Sequence, residues 1–411
     1  MHRKLKVAHL SDMPSGGAAV AANRLVRALG RAEGVEIERW VFGKSKVAGQ
    51  PKSQIALERD CPKTFSERII RIFSRTAAKS LQRRRQREAL LAAIAARKPD
   101  ILHLHNLHAC ALRHDDLHLI PPDVRLVWTM HDCWPFAPWA YRWKNENGAN
   151  EVQGAERGAE AKATAARRSF FARRRDTILV SPSRWLALQA RRFDHSSLRV
   201  EVIPNGVPTD VFVPTPKPQA KAALGLDPSR IWIGLSAASF DHRKGADILI
   251  DALRILRRAD LGLVLWGSNH DGRVPDFAEF FSAGYVQDEY HQALLYSACD
   301  LFVCPSRIDN LPNTVLESLA CETPVLASDV GGIPEMVSTG ETGWLYTPTT
   351  AGACANAVQE ACQSRDEWSA YGKRCRELAE TKFSLRRQAS RYLGLYLELA
   401  DLDQTSSTRR P

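Results

Sequence analysis

Two carboxylates eight positions apart, Asp309 and Glu317, lie in a stretch that turns from a loop into a helix. Pro312 suits the first turn of that helix, because its fixed φ and missing N–H are tolerated there. The amides of Asn313 and Thr314 then point toward the loop and can hold an anion or a sugar hydroxyl. Glu317 lies one i+4 step after Asn313, where its carboxylate can accept both hydroxyls of a ribose. Asp309 can engage the ring of a sugar.

A pair of cations, Arg243 and Lys244, precedes Gly245 between a predicted strand (231–237) and a predicted helix (246–256). Two positive side chains beside a helix N-terminus favour a diphosphate. A lone Arg-Lys pair is usually solvated surface, so it is the position of this pair that predicts phosphate binding.

The first half of the chain contributes a histidine and two glycines. His131 follows the predicted strand 126–130, and parallel sheets bind ligands where their strands end. An imidazole there can hydrogen-bond a sugar hydroxyl, although a structural loop histidine is the alternative. Gly16 and Gly17 follow the predicted strand 5–11 and let the backbone approach a phosphate or sugar. A tight turn without a ligand is nearly as well supported there.

Short apolar runs separated by helical patterns predict two α/β blocks with parallel sheets. A stretch rich in Pro and Gly, residues 202–208, separates the blocks. We therefore predict an N-terminal domain over 1–203, a second domain over 204–384, and a terminal segment over 385–411 whose helix packs back toward the N-terminal domain. The predicted strands cover 5–11, 37–42, 101–105, 126–130 and 178–181, then 231–237, 261–266, 300–304, 324–327 and 344–346.

The composition is that of a globular protein of 411 residues with a formal net charge of +11, which excludes a disordered or collagen-like chain. No apolar run has the length of a membrane span or a signal peptide, so a cytoplasmic location is expected. Residues 68–98 carry ten basic side chains beside an apolar face through Ile69, Phe73, Ala77 and Leu81. This segment predicts either a helix on the inner face of an anionic membrane or a packed helix with a solvated basic face. Nucleic acid is not an expected partner, because no binding motif accompanies the charge.

A metal site is not expected from the sequence. The nine cysteines are scattered and include no CxxC pair. His103 and His105 alternate onto one face of a strand and His108 follows, but no further ligand stands at a suitable spacing. These histidines are expected to line a cleft or to pack at a strand end.

Taken in order along the chain, these motifs and the run from Glu317 to Val325 resemble a retaining GT-B glycosyltransferase of family 4. The resemblance covers roughly residues 4–402, and residues 309–317 with the turn 131–136 are most similar to the branch that builds exopolysaccharides and other surface glycans. It implies two Rossmann-like domains facing an interdomain cleft. It also implies transfer from a nucleotide-sugar donor to a glycan or lipid-linked acceptor with retention, and no metal or other cofactor.

The resemblance assigns a role to each motif. Glu317 would bind the donor ribose, Lys244 with Arg243 would neutralise the leaving diphosphate, and His131 would lie over the sugar beside the reacting carbon. The leaving phosphate itself would take the acceptor proton. The implied catalytic residues are His131, Lys244 and Asp309, and the implied donor-binding residues are Gly16, Gly17, Arg243, Asn310, Asn313, Thr314 and Glu317.

Two positions depart from the family pattern. Asp309 stands where relatives usually carry Glu, and the side chain shorter by one methylene can lose or re-aim its contact with the sugar. Ala238 stands where relatives often carry an Arg, which removes part of the diphosphate clamp. Two alternatives therefore remain: a nucleotide-sugar epimerase, and a non-catalytic or degenerate protein that binds sugar nucleotides or membranes.

Overall fold

The structure is a computed structural model that describes residues 3–12, 16–42, 54–57, 75–107, 110, 112–144, 150–153, 160–193, 198–237, 242–267 and 279–407. Two separate parallel sheets, each flanked by helices, confirm the predicted pair of Rossmann-like α/β domains.

The first domain is built on a seven-stranded parallel sheet with the order β3-β2-β1-β4-β5-β8-β9. The paired strands β6 and β7 are antiparallel and stand apart from it. The elements are β1 (Leu5–Ser11), α1 (Gly17–Leu29), β2 (Val35–Val41), β3 (Gln54–Ala56), α2 (Arg75–Arg97), β4 (Ile101–Leu104), α3 (His114–Leu117), β5 (Arg125–Thr129), β6 (Tyr141–Lys144), β7 (Asn150–Gln153), α4 (Glu160–Arg173), β8 (Ile178–Ser181), α5 (Arg184–Phe193) and β9 (Val200–Val202).

The second domain is built on a six-stranded parallel sheet with the order β12-β11-β10-β13-β14-β15. Its elements are α6 (Lys217–Ala223), β10 (Ile231–Ala237), α7 (Ala246–Leu256), β11 (Leu261–Gly267), β12 (Glu279–Gly284), α8 (Glu289–Ala298), β13 (Leu301–Cys304), α9 (Asn313–Ala320), β14 (Val325–Ser328), β15 (Gly343–Tyr346), α10 (Ala351–Gln363) and α11 (Trp368–Thr381), with 3₁₀ turns at His242–Lys244, Ile333–Glu335 and Arg365–Glu367. A last helix, α12 (Leu385–Ser407), follows.

Buried apolar runs identified the central strands well, because both faces of these sheets are covered. The predicted strands at 5–11, 178–181 and 231–237 match β1, β8 and β10 residue for residue, and the others shift by one or two residues. Five of the described strands, all outside the sheet centres, were not predicted from the sequence: β3, β6, β7, β9 and β12. Strands β3 and β9 have three residues each, and β12 leaves half of its residues exposed, so neither length nor hydrophobicity marks them.

The linker between the sheets lies beside the start of α12. The amide of Val207 donates to the Phe383 carbonyl at 2.9 Å, and the amide of Leu385 donates to the Val207 carbonyl at 2.9 Å. At Gly206 a Cβ would come within 2.5 Å of the Leu385 Cα, so the two segments approach more closely than any side chain allows. The chain therefore crosses between the domains twice at one place.

From this crossing, α12 runs over one face of the first sheet. Tyr392, Leu395, Tyr396 and Leu399 are buried and share a hydrophobic cluster with Val7 and other residues of β1, β4, β5 and β8. Part of the core of the first domain is thus supplied by the last helix of the chain.

The basic helix predicted over 68–98 is described from Arg75 onward as α2, and the first half of its expected apolar face lies outside the described residues. Ala77 is exposed, which corrects the expected position of that face. The helix instead buries Leu90 and Ile94 against the first core, because its C-terminal half is the part that meets the sheet. Among the helices that the structure describes, none is long and apolar enough to cross a membrane.

Glycine is required where α7 begins beside the cationic pair. Gly245 has φ 67°, and a Cβ there would lie 1.9 Å from the Pro305 carbonyl oxygen. Gly225 has the same φ of 67° but open space around its Cβ position. We predict that Gly225→Ala costs about 1 kcal/mol from left-handed strain alone. We predict that Gly245→Ala costs about 3 kcal/mol, because the backbone must also move. Chemical denaturation measures both, and equal losses would contradict the close packing at Gly245.

Candidate functional site

The Asp309 carboxylate is the centre of a cationic cluster at the carboxyl ends of the second sheet. Its Oδ2 is 2.6 Å from Lys244 Nζ and 3.3 Å from Arg243 Nη1, and its Oδ1 accepts from the Asn310 amide at 3.0 Å. Burial would raise the pKa of this carboxyl, but Lys244 and Arg243 outweigh burial and hold the pKa below its ordinary value. Asp309 is therefore an anion that binds the predicted lysine.

The Asp309 side chain contacts both predicted cations. Asp309 is buried and aims Oδ2 at Lys244, so the side chain fixes the ammonium group in the cleft. The Arg243 guanidinium also donates to the Ile308 carbonyl and stacks on Tyr141 of the first domain at 4.7 Å. Both predicted cations thus lie together beside Asp309.

The Glu317 carboxylate binds across the domain boundary. Its Oε1 is 2.8 Å from Arg24 Nη2 of α1, and its Oε2 accepts from the Tyr296 hydroxyl at 2.8 Å. Arg24 Nε also pairs with Glu289 at 2.8 Å. The Arg24 side chain is 1% exposed and that of Glu317 is 6% exposed, so the ion pair is sealed from water.

Arg24 is a site residue that the sequence analysis missed. Burial works against its charge, but Glu317 and Glu289 outweigh burial and raise the pKa of the guanidinium. Its ring neighbour is Phe212, 5.0 Å from the guanidinium carbon. Its Nη1 is buried and has no hydrogen-bond partner within the described part of the chain. A charged residue among the buried positions of the amphipathic helix α1 was the available signal.

The turn that carries His131 is tied to the second domain by Asn310. The Asn310 Nδ2 lies 3.2 Å from the His131 carbonyl oxygen, and its Oδ1 accepts from the Ser183 hydroxyl at 2.5 Å. Tyr141 donates to the same His131 carbonyl at 3.1 Å. Asn310 was predicted to bind the donor, but its side-chain amide bonds residues of the first domain. Its backbone N–H donates to Asp309 and orients that carboxylate. The backbone of the His131 turn and the Lys244 ammonium group are therefore linked through the adjacent residues Asp309 and Asn310.

Gly16 and Gly17 lie at the N-terminus of α1, which meets the N-terminus of α9 across the cleft. The Asn313 side chain at the start of α9 donates to the Gly17 carbonyl at the start of α1, at 3.0 Å. Gly16 precedes α1 with φ 94°, and a Cβ on either glycine would meet open space. Asn205 of the linker contacts Asn313 at 3.4 Å. Two positive helix ends from different domains therefore face one region.

A pocket opens beside these groups, at the carboxyl ends of β10 and β13. It brings Lys244 of the cationic cluster to the same wall as Thr314 of α9 and Ser306 of the Asp309 loop. Its lining is Leu235, Ser236, Lys244, Val303, Cys304, Pro305, Ser306 and Thr314. Ala238, Asp241, Ser15 and His108 lie outside the described residues, so the structure does not place these four positions.

Comparison with known families gives one kind of match for each half of the chain. Residues 15–211 match the model described as Glycosyltransferase Family 4. Residues 232–364 match the model described as Glycosyl transferases group 1.

Proteins similar to this chain include two alpha-maltose-1-phosphate synthases and one mannosyltransferase. The alpha-maltose-1-phosphate synthase of Mycobacterium tuberculosis H37Rv is 30% identical over 335 residues, which cover 75% of this chain and 81% of that protein. The lipopolysaccharide core biosynthesis mannosyltransferase LpsB of Rhizobium meliloti is 28% identical and covers 56% of this chain and 68% of its own length. The alpha-maltose-1-phosphate synthase of Mycolicibacterium smegmatis is 31% identical over 49% of this chain, but the match spans only 57% of that relative.

Solved structures resemble the whole chain. Sucrose-phosphate synthase from Thermosynechococcus elongatus aligns with a TM-score of 0.74 at 21% identity and covers 97% of this chain and 100% of its own. Anabaena HepE in complex with UDP-glucose aligns with a TM-score of 0.66 at 16% identity over 98% of this chain and 100% of its own. These likenesses show that both lobes have the same fold as those proteins.

The Asp309 ion pair gives a pH-dependent prediction. Its depressed pKa means that the pairing stabilises the fold above the unfolded-state pKa near 4 and is lost as pH falls through the folded-state pKa. Asp309→Asn should therefore cost about 3 kcal/mol at pH 7, and the difference from wild type should shrink below about pH 4. Denaturation at a series of pH values measures this. As a control, Asp251→Asn at the exposed Arg254 pair should cost under about 1 kcal/mol. A loss at Asp309 that stays constant down to pH 3 would contradict the ion pair.

Proposed function

The chain belongs to the glycosyltransferases of family 4 and group 1, and on that premise we propose that it transfers a sugar from a nucleotide-sugar donor to a glycan or lipid-linked acceptor with retention. The observation that carries the proposal is the Lys244–Asp309 cluster beside the α9 N-terminus, at the edge of the second sheet that faces His131. Cations and helix N-termini grouped at such an edge are suited to a diphosphate.

The diphosphate would bind between Lys244 and the α9 N-terminus. Lys244 and Thr314 line the same small pocket, and this proximity supports the position. Lys244 is already neutralised by Asp309, so a bound phosphate would share the ammonium group instead of meeting a bare cation. Arg243, at 3.3 Å from the same carboxylate, would strengthen the clamp as negative charge develops on the leaving group.

The donor ribose would take the place of Arg24 at Glu317. In the structure both Glu317 oxygens are engaged, one by Arg24 and one by Tyr296. Ribose hydroxyls can reach Oε1 only when the guanidinium moves aside, and Arg24 then keeps Glu289 as its partner. The unpartnered Nη1 of Arg24 supports a polar ligand at this place. Donor binding would therefore exchange an ion pair between the domains for contacts with the nucleotide.

The chemical step would need no dedicated protein base. His131 would hydrogen-bond the donor sugar beside the reacting carbon, and the leaving phosphate oxygen would accept the proton from the acceptor hydroxyl as the new bond forms. With Lys244 and Arg243 stabilising the leaving diphosphate, we propose transfer without a metal ion. The acceptor would enter from the first domain, in exopolysaccharide or surface-glycan synthesis. The lipopolysaccharide mannosyltransferase among its relatives supports that assignment.

We also propose that the protein works in the cytoplasm and associates with the inner face of an anionic membrane through α2. The net charge of +11 and the basic content of this helix support the proposal. Part of the charge is internally neutralised, which limits the area that a membrane could use. The paired residues are Arg83 and Arg87 with Asp116, Arg84 with Glu88, and Arg97 with Glu38.

Glu317→Ala tests donor binding. With calorimetry over a panel of UDP-, GDP-, ADP- and dTDP-sugars, we expect the affinity for the preferred donor to fall by at least about 100-fold, because two hydrogen bonds to a carboxylate are lost. The exposed Glu377→Ala of α11 is the matched control and should leave the affinity unchanged. Turnover by wild type should persist in EDTA and give a product with the donor's anomeric configuration. Unchanged donor affinity in Glu317→Ala would contradict the assignment.

The other outcomes of that experiment separate the alternative functions. An isomerised sugar nucleotide without transfer would favour an epimerase. Tight donor binding with no release of nucleotide, over a range of lipid-linked and oligosaccharide acceptors, would favour a non-catalytic protein. Loss of turnover in EDTA, restored by a divalent metal, would contradict metal independence alone.

The membrane proposal predicts binding that depends on charge and salt. The full chain should co-sediment with vesicles containing anionic lipid, bind neutral vesicles weakly, and dissociate from the anionic vesicles between about 0.1 and 0.5 M salt. Lys79→Glu in α2 should weaken the binding, whereas Lys373→Glu in α11 serves as a control. Binding that ignores salt, or no binding to anionic vesicles, would reject this proposal.

A further inference from the structure

A row of polar side chains lies beneath His131, inside the first domain. Strand alternation puts them on one face of the sheet, because β1, β4 and β5 are neighbours and His9 is paired in register with His103. His105 lies two residues beyond His103 on that same face, and Thr129 and His131 continue the face from β5. The buried members of this row are His9, His103, His105 and Thr129.

These side chains form one continuous chain of hydrogen bonds that starts at His131. Its Nε2 is 3.2 Å from His105 Nδ1, and His105 Nε2 is 3.1 Å from His9 Nδ1. His9 Nε2 then lies 3.4 Å from the Tyr396 hydroxyl of α12. The same hydroxyl is 2.5 Å from His103 Nδ1. The first half of this hydrogen-bonded chain thus leads from the cleft to the last helix.

The second half of the hydrogen-bonded chain reaches α12 again, one helical turn before Tyr396. His103 Nε2 is 2.7 Å from Thr129 Oγ1, and Thr129 Oγ1 is 2.7 Å from the Tyr392 hydroxyl. Each interior imidazole therefore has a partner on both of its nitrogens. Two tyrosines spaced one helical turn apart on α12 hold the far end and the middle of the chain.

The interior imidazoles are neutral. Burial, with a further contribution from Arg39, lowers the pKa of His9 to about 3. Burial and the neighbouring imidazoles hold the pKa values of His103 and His105 well below the ordinary value. A neutral imidazole has one donor and one acceptor nitrogen. Each interior imidazole therefore donates to one neighbour and accepts from the other. The direction passes through the Thr129 and Tyr396 hydroxyls where each of them donates one hydrogen bond and accepts the other.

A bound metal ion is the other arrangement that three close histidines can serve. Ligand nitrogens of His9, His103 and His105 lie within 4.8 Å of one another. The rings of His103 and His105, however, are stacked, with centroids 4.3 Å apart at 27°, and the His9 ring is tilted by 45° from that of His103. Since imidazole lone pairs lie in the ring plane, stacked rings do not converge on one ion, and both nitrogens of His103 already face hydroxyl groups. The geometry favours the hydrogen-bonded chain.

The direction depends on which hydroxyl donates at the tyrosine end. If Tyr392 donates to Thr129, the Thr129 hydroxyl is left to donate to His103 Nε2. His103 then donates from Nδ1 to Tyr396, and Tyr396 donates to His9 Nε2. His9 then donates from Nδ1 to His105 Nε2, and His105 donates from Nδ1 to His131 Nε2.

We propose that Tyr392 and Tyr396 are positioning residues for His131, which they hold through the buried imidazoles as the tautomer with its proton on Nδ1. The Nδ1 of His131 is then a hydrogen-bond donor, which can donate to the oxygen of a sugar hydroxyl. This inference rests on the proposed function, because it deepens the role of His131 there. It also gives α12, which begins at the domain crossing, a direct connection to the cleft.

The tautomer can be tested directly on the wild-type protein. In the full chain labelled with ¹⁵N-histidine, chemical shifts and one-bond couplings identify the protonated nitrogen, and the spectrum of His131→Gln assigns the His131 signals. We expect the proton of His131 on Nδ1 and neutral rings for His9, His103 and His105 at pH 7. In Tyr396→Phe the His131 signals should show a mixture of tautomers, since the chain is cut.

The kinetic test uses variants that remove one hydroxyl each. Tyr396→Phe and Tyr392→Phe should lower kcat by roughly tenfold to a hundredfold, because a misoriented group near the reacting atoms costs rate. Their donor affinity should stay within about twofold of wild type, since the proposed contacts of the ribose and the diphosphate, at Glu317 and Lys244, are in the second domain. Tyr371→Phe, a buried tyrosine packed on Trp344 in the second domain, is the matched control and should change neither value.

The outcomes separate this inference from the proposed function. Normal kcat in both tyrosine variants, a proton on Nε2 of His131, or a stoichiometric metal in the purified protein would each overturn the chain while leaving donor binding and transfer intact. If wild type binds no sugar nucleotide, the proposed function fails, and the ¹⁵N spectra still decide whether the chain sets the tautomer.

Discussion

A buried cation, Arg24, joins the two lobes by ion pairs. Arg24 lies inside the first domain, but its carboxylate partners, Glu317 and Glu289, both belong to the second. A guanidinium that is 1% exposed cannot stay buried without those anions, because an unpaired buried charge is very costly. The interface is therefore more than a hydrophobic contact that contains a charge. It is a place where each lobe supplies what the other needs, at the position where a ribose is proposed to bind.

Other polar groups in the cleft also find hydrogen-bond partners in the opposite domain. Asn310 of the second domain bonds Ser183 and the His131 carbonyl of the first, and the Asn313 side chain bonds Gly17. These contacts lie at the carboxyl ends of two parallel sheets and at the N-termini of the helices that follow. Such ends present unsatisfied backbone groups and short loops, so polar side chains gather there. Site and interface are consequently built from the same residues.

The last helix connects the domain crossing to the interior of the first domain. It begins beside the linker and then completes the core under β1, β4 and β5. On most of that face the strands contribute valine and isoleucine, but near their carboxyl ends they contribute His9, His103 and Thr129, which require polar partners. The tyrosines of α12 meet that requirement. A movement of this helix relative to the sheet would therefore alter hydrogen bonding near the cleft as well as packing.

The sequence by itself determined the two parallel sheets, most of their strands and the positions of Lys244, Asp309 and Glu317, because buried strands and helix starts have local signatures in residue type and spacing. The sequence analysis also identified His103 and His105 as neighbours on one strand face, but it did not connect them with His9. Only the tertiary structure brought His9 and Arg24 to their partners, which stand 96 and 293 residues away along the chain. Pairings over such distances leave no local pattern, since strand order and domain packing decide which faces meet.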